Sequence, residues 1–245
     1  MQTFPPSDLV TDAGLILITD ELPAPADFLL HRFLHIRIRE VKQSSCIFLS
    51  VSEDFDRVKT VASKAALNLA QNAKIKFIDL VKGLEASTEK ATANADARLR
   101  YIIRLLSSDI STMDAAEEQI LVILDDIASL EWLGFSTLDL FRFSRALKAL
   151  CLKYGAVLVI RHHILNASEP GHLFQLLLQL CSYHIEVRPL ASGRSGAVSG
   201  ELCLHPGPCE GEPRNRLLSR LTALQYRLTD GGAMFFNKGT SEGVL

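Results

Sequence analysis

Short runs of apolar residues alternate along the chain with longer stretches where apolar positions recur every three or four residues. The runs are 15–18 (LILI), 47–51 (IFLSV), 120–124 (ILVIL) and 156–160 (AVLVI), and 74–80 (KIKFIDL) reads as a further strand. Near-continuous apolar strands of this kind are covered on both faces, as in parallel sheets. Between them, residues 54–71 place Phe55, Val58, Ala62, Ala65 and Leu69 on one stripe. Residues 136–154 do the same with Leu140, Phe143, Leu147, Cys151 and Tyr154. Ser136 stands where an N-cap is needed, and Gly155 where that helix would stop. The alternation predicts βαβ units wound into one mostly parallel central sheet flanked by helices.

After residue 180 the pattern changes. Residues 181–188 (CSYHIEVR) and 200–205 (GELCLH) read as strands, and LQYRL-TDGG-AMFF reads as a hairpin. Asp230 and Gly231 are expected to supply the positive-φ residues of its turn. Antiparallel strands therefore extend the sheet at its end. Residues 85–96 read as a loop, although their alanines also permit a helix start, and 190–216 as a second loop, broken by the strand at 200–205. No repeat and no long linker divides the chain, so residues 1–245 are expected to form a single domain.

Composition narrows the function. With 245 residues and a net charge of −2, no global basic field points to nucleic acid, and any such contact must be local or shared with other subunits. Apolar runs of about six residues fall far short of the ~20 that cross a bilayer, and the N-terminus MQTFPPSDLV lacks the features of a secretory signal. The five cysteines contain no CxxC pair, which fits free thiols in a reducing compartment, cytoplasmic or nuclear.

The first strand and helix frame a place where nucleotide-binding folds hold phosphate. A phosphate-binding loop needs glycines that let backbone N–H groups converge, a lysine for the outer phosphates and a hydroxyl for magnesium. Residues 19–27 read TDELPAPAD. Pro23 and Pro25 each remove a donor, and Asp20, Glu21 and Asp27 place negative charge where phosphate would lie. The second half of such a site, an acid after an apolar strand, is present in form in 119-QILVILDDIASLEWLG-134. Without a cradle, Asp125 and Asp126 are a degenerate acidic motif, expected to bind the adjacent turn or cap the next helix.

Three segments carry a family resemblance. The tail 224-LQYRLTDGGAMFFNKGTSEGVL-245, the acidic strand 119–134 and the helix opening FLLHRFL at residue 28 resemble the Elongator complex protein 6 family. The tail is fairly specific; the other two are common to RecA-like domains. The resemblance implies a RecA-like fold without a working phosphate-binding loop, no catalysis and no cofactor. It implies assembly with two paralogous RecA-like subunits, four and five, into a heterohexameric ring with two copies of each. That ring serves the Elongator complex and its catalytic subunits, which modify wobble uridine in tRNA in cytoplasm and nucleus, and it binds tRNA.

Several residues are candidates within that reading. Arg161, His162 and His163 follow a central strand and are candidate tRNA contacts, against a solvated strand-end cluster or buried imidazoles. Phe235, Phe236 and Lys238 are the candidate partner interface, although successive residues of a strand face opposite ways and one phenylalanine belongs in the core. Arg188, Arg194, Arg214, Arg216 and Arg220 form a candidate basic rim, interspersed with Glu201, Glu210 and Glu212. His31 and His35 stand four apart but lack the further ligand that zinc wants. No motif for nucleophilic catalysis is present. The alternative function is a RecA-like NTPase using an atypical loop, for which Lys82-Gly83 and Lys238-Gly239 are the poor candidates. A third possibility is an arginine of this chain reaching a neighbour's nucleotide.

Overall fold

A computed structural model describes residues 2–11, 14–41, 43–64, 67–69, 74–88, 95–113, 119–193, 195–209 and 215–238. Its centre is a nine-stranded sheet. Five parallel strands come first in sequence: β1 (Leu15–Glu21), β2 (Ser44–Ser50), β3 (Ile75–Asp79), β4 (Gln119–Leu124) and β5 (Val157–Ile164). They are followed by β6 (Tyr183–Arg188), β7 (Gly200–Pro206), β8 (Leu224–Thr229) and β9 (Gly232–Asn237). The spatial order is β3-β2-β4-β5-β1-β6-β7-β8-β9, parallel as far as β6 and antiparallel from there to β9. This is the mostly parallel sheet with antiparallel C-terminal strands that the alternation implied.

The apolar strands divide their side chains between two cores. On one face, Ile16, Ile18, Leu121, Ile123, Val157 and Val159 pack under α1 (Ser7–Thr11), α2 (Asp27–Glu40) and α3 (Phe55–Lys64). On the other, Leu15, Leu17, Val122, Leu124, Leu158 and Ile160 pack under five helices. These are α4 (Leu80–Thr88), α5 (Ala95–Thr112), α6 (Ala128–Trp132), α7 (Thr137–Lys153) and α8 (His172–Leu178). Double coverage is why β1, β4 and β5 lack alternation. Arg37 of α2 is wholly buried and ties these layers together, donating to the Val10 and Ile120 carbonyls at 2.8 and 3.0 Å.

Both ends of α7 form as its sequence dictates. The Ser136 hydroxyl oxygen accepts the Asp139 N–H at 3.1 Å, capping the first turn. Gly155 takes φ +63°, while its N–H reaches the Leu152 carbonyl and that of Ala156 the Cys151 carbonyl. That pairing is a Schellman stop, which needs the left-handed residue glycine supplies.

Three expectations change. The helix expected over 54–71 runs only from Phe55 to Lys64. Leu69 is still buried, but outside that helix, and Ala65 lies outside the described residues. Strand β5 continues through Arg161, His162 and His163, which therefore sit in the sheet rather than in a loop. In the β8–β9 hairpin, the positive φ belongs to Gly232, at +129°, and not to Asp230 or Gly231. Within the stretch 85–96, residues 89–94 lie outside the described residues, and its two ends belong to α4 and α5. No described helix is long and apolar enough to cross a membrane.

Candidate functional site

The end of β1 and the start of α2 meet where a phosphate cradle would lie. Thr19 and Asp20 are buried at the strand end. The chain then turns tightly, with the Ala24 N–H donating to the Glu21 carbonyl at 2.8 Å. Pro23 and Pro25 have no N–H to offer. The Ala26 N–H turns inward to Asp20 Oδ2 at 2.7 Å. The Ala24 and Ala26 donors are thus spent on the chain's own oxygens. Asp27 stands in the first turn of α2, where the helix end favours negative charge.

A cation from the neighbouring strand closes the arrangement. The parallel register sets Ile18 beside Arg161, Thr19 beside His162 and Asp20 beside His163. The Arg161 guanidinium bonds Asp27, lies 3.7 Å from Asp20 Oδ2 and donates from Nε to the Asp125 carbonyl at 2.6 Å. Burial works against its charge, but Asp27 and Asp20 outweigh that and raise its pKa. The other Asp20 oxygen meets His163 Nδ1 at 2.8 Å. Asp20 is therefore surrounded by an amide, a guanidinium and an imidazole. Two internal carboxylates hold the ground that a phosphate would need.

The acidic pair is also engaged. Asp125 accepts the Ser50 hydroxyl, the Val51 N–H at 2.8 Å and the Ser52 hydroxyl at 3.1 Å. Burial pushes its carboxyl up, and those hydrogen bonds and Arg161 oppose the shift. Asp126 accepts the Ala128 N–H at 3.0 Å and the Ser129 hydroxyl, fixing the first turn of α6. Asp125 thereby joins β4 to the loop after β2, and Asp126 starts a helix.

The structure brings Arg161 and His163 together around Asp20 and turns His162 to the opposite face. Arg161 and His162 are buried; of the three, His163 alone is part-exposed. His162 lies against Phe174, with ring centroids 6.1 Å apart, and burial depresses its pKa. Phe235, expected with Phe236 and Lys238 at a partner interface, is a core residue instead. It packs against Phe4 at 5.7 Å and under the Arg32 guanidinium at 5.5 Å. Phe236 is part-exposed and Lys238 exposed. The reason is strand alternation: only one of two adjacent phenylalanines can face the helices.

Other candidates resolve in the same way. Lys82 pairs with Asp79 at 3.0 Å next to β3, at the far edge of the sheet from β9, with three strands between it and β1. Gly239 lies outside the described residues, as do Arg194, Glu210, Glu212 and Arg214. Arg188 bonds Glu201, and Arg220 bonds Glu186, so these members of the basic rim carry paired charge. His31 is half-buried and stacks on Phe48, with ring centroids 6.3 Å apart, and its desolvation lowers its pKa to about 4. The central role of Asp20 was missed in the sequence. Its signal was an acid ending an otherwise apolar strand.

The comparisons agree with this geometry. A family profile described as Elongation complex protein 6 matches residues 6–230. Elongator complex protein 6 of Danio rerio is 24% identical, covering 99% of this chain and 95% of its own. That of Mus musculus is 23% identical, covering 96% and 94%. Among solved structures, a KaiC-like protein of the archaeon Pyrococcus horikoshii superposes with a TM-score of 0.63. It covers 95% of this chain and 96% of its own at 13% identity, which shows the RecA-like fold. A RecA-like sheet, a strand end closed by its own ion pairs and a profile matching most of the chain lead to one assignment: the chain belongs to the Elongation complex protein 6 family.

Proposed function

We propose that the chain is a non-catalytic subunit of the Elongator complex. In this reading it joins two paralogous RecA-like subunits, four and five, in a heterohexameric ring. The ring binds tRNA and supports wobble-uridine modification by the catalytic Elongator subunits, in cytoplasm and nucleus. The observation that carries the non-catalytic part is Arg161 between Asp20 and Asp27 at the end of β1. A triphosphate entering there would meet two carboxylates and a guanidinium already committed to them. Family membership supports the complex as the setting. Phe236 and Lys238, on the edge strand and just past it, remain the proposed partner contacts; among the described residues only the isolated bridge from Gln2 to Phe235 meets the outer side of β9, and an edge so lightly covered invites a partner.

Native mass spectrometry tests the assembly. The purified chain mixed with its two paralogues is expected to give a six-subunit ring. A stable monomer indifferent to both would overturn the reading. Nucleotide titration of the isolated chain tests the rest. Micromolar ATP binding abolished by Asp125→Ala would establish the NTPase alternative in its place.

A further inference from the structure

The sheet is apolar on both faces through β1, but not beyond it. On β6 and β7, Tyr183, Ile185, Val187, Leu202 and Leu204 fill the core beneath α2. The opposite face of these two strands carries His184, Glu186 and Arg188 against His205, Cys203 and Glu201, paired in that order. The sequence alternation HIEVR and ELCLH encodes this division. A crevice of about 350 Å³ opens over part of that polar face, lined by Thr19, Phe174, His184, Glu186, His205 and Arg220 among others.

We propose that Glu186 and His205, which line this crevice, and Cys203, buried beneath it, form a zinc site. The donor atoms of these three side chains all lie within 4.8 Å of one another. Thiolate, imidazole and carboxylate are the donor types zinc takes together. Cys203 and His205 are two apart on one strand, so both project to the same face, and Glu186 stands directly opposite Cys203. Bond lengths of ~2.3 Å to sulfur and ~2.0 Å to nitrogen set tetrahedral ligands about 3.5 Å apart. A bound metal would draw the three donors together.

The surroundings suit a ligand carboxylate. Arg220 donates to Glu186 Oε1 at 2.7 Å and more weakly to Oε2 at 3.2 Å. His205 Nε2 meets Oε2 at 3.0 Å. On binding, the metal takes the place of that histidine contact between Nε2 and Oε2. Arg220 keeps Oε1, holding the carboxylate in orientation as outer hydrogen bonds do around metal ligands. Cys203 gives up its proton to solvent as the sulfur–zinc bond forms, and the His205 proton leaves Nε2, through solvent, so that the ring is neutral with its hydrogen on Nδ1. His184 is tied to Thr19 Oγ1 at 2.7 Å and lies beside His205, so the fourth position is left to water from the crevice.

The test uses the full chain, stripped with chelator and titrated with cobalt and then zinc. One equivalent of cobalt is expected to give tetrahedral visible absorption with a thiolate charge-transfer band, and zinc should displace it. Cys203→Ser should lose the charge-transfer band, and Cys209→Ser should keep it. X-ray absorption of the zinc-loaded wild-type chain does not depend on any variant folding. It should find one sulfur among the ligands. No stoichiometric binding, a shell with no sulfur or with two, or a band that survives Cys203→Ser in folded protein would overturn the proposal.

Discussion

The Arg161 guanidinium is shared by Asp27, in the first turn of α2, and Asp20, at the buried end of β1. One side chain thus joins β5, β1 and α2, and through its Nε the strand end at Asp125. Removing one partner of a buried ion pair leaves the other charge uncompensated, which costs roughly 3–5 kcal/mol. Arg161→Ala should lower the unfolding free energy by about that amount in urea titration. Asp27→Asn should cost less, because Asp27 keeps access to water. Equal and small losses would show that the cluster is not a structural unit.

His163 makes stability depend on pH. Its hydrogen bond to Asp20 raises its folded pKa, against the effect of burial. A raised folded pKa gives stabilisation that is complete below the unfolded value of about 6.5. It is lost as pH climbs through the higher folded value. Wild type should therefore lose stability relative to His163→Gln as pH rises from about 6.5 through the raised folded value. Urea midpoints of the two proteins across that range measure the difference. A constant difference would remove the Asp20–His163 charge contact from the account.

Thiol reactivity should separate the cysteines. Cys46, Cys151, Cys181 and Cys203 are buried, and burial pushes the first three up to about 12 and Cys203 to about 11. Cys209 is exposed. Alkylation of the native chain followed by mass spectrometry should label Cys209 rapidly and the other four only on unfolding, since the thiolate is the reactive form.

Gly207 offers a steric test. It follows β7, and its N–H donates to the Ser182 carbonyl at 2.7 Å. A Cβ there would stand 1.9 Å from the Cys181 carbonyl oxygen, which is backbone and cannot swing away. Gly207→Ala should therefore shift the start of β6 and destabilise by about 1–3 kcal/mol, the usual range for overpacking. Gly196→Ala, with open space around its Cβ position, is the control in thermal unfolding.

Residue by residue, legibility followed the range of the interaction. Ser136 and Gly155 act within one turn of their own helix, so local pattern identified both. The run Arg161-His162-His163 looked like a polar loop because its partners are Asp20, Asp27 and Phe174, all distant in sequence. In the sequence Asp20 and Asp27 read as charges that would repel phosphate; that both are paired to Arg161 needed the register between β1 and β5. Glu186, Cys203 and His205 gave no motif, because they converge only when β6 and β7 pair antiparallel.

By itself, the sequence determined the apolar strands, both ends of α7, which strands are buried on both faces and that residues 19–27 carry two prolines and three acids where a phosphate cradle needs backbone N–H groups. Period, caps and the missing N–H of proline are local properties of the chain. Tertiary structure decided which charge answers which, that Phe235 and not Phe236 enters the core, and where a crevice opens over β6 and β7. Those outcomes depend on strand order and register, which bring distant residues to contact distance and fix whether each is neutralised, buried or left facing water.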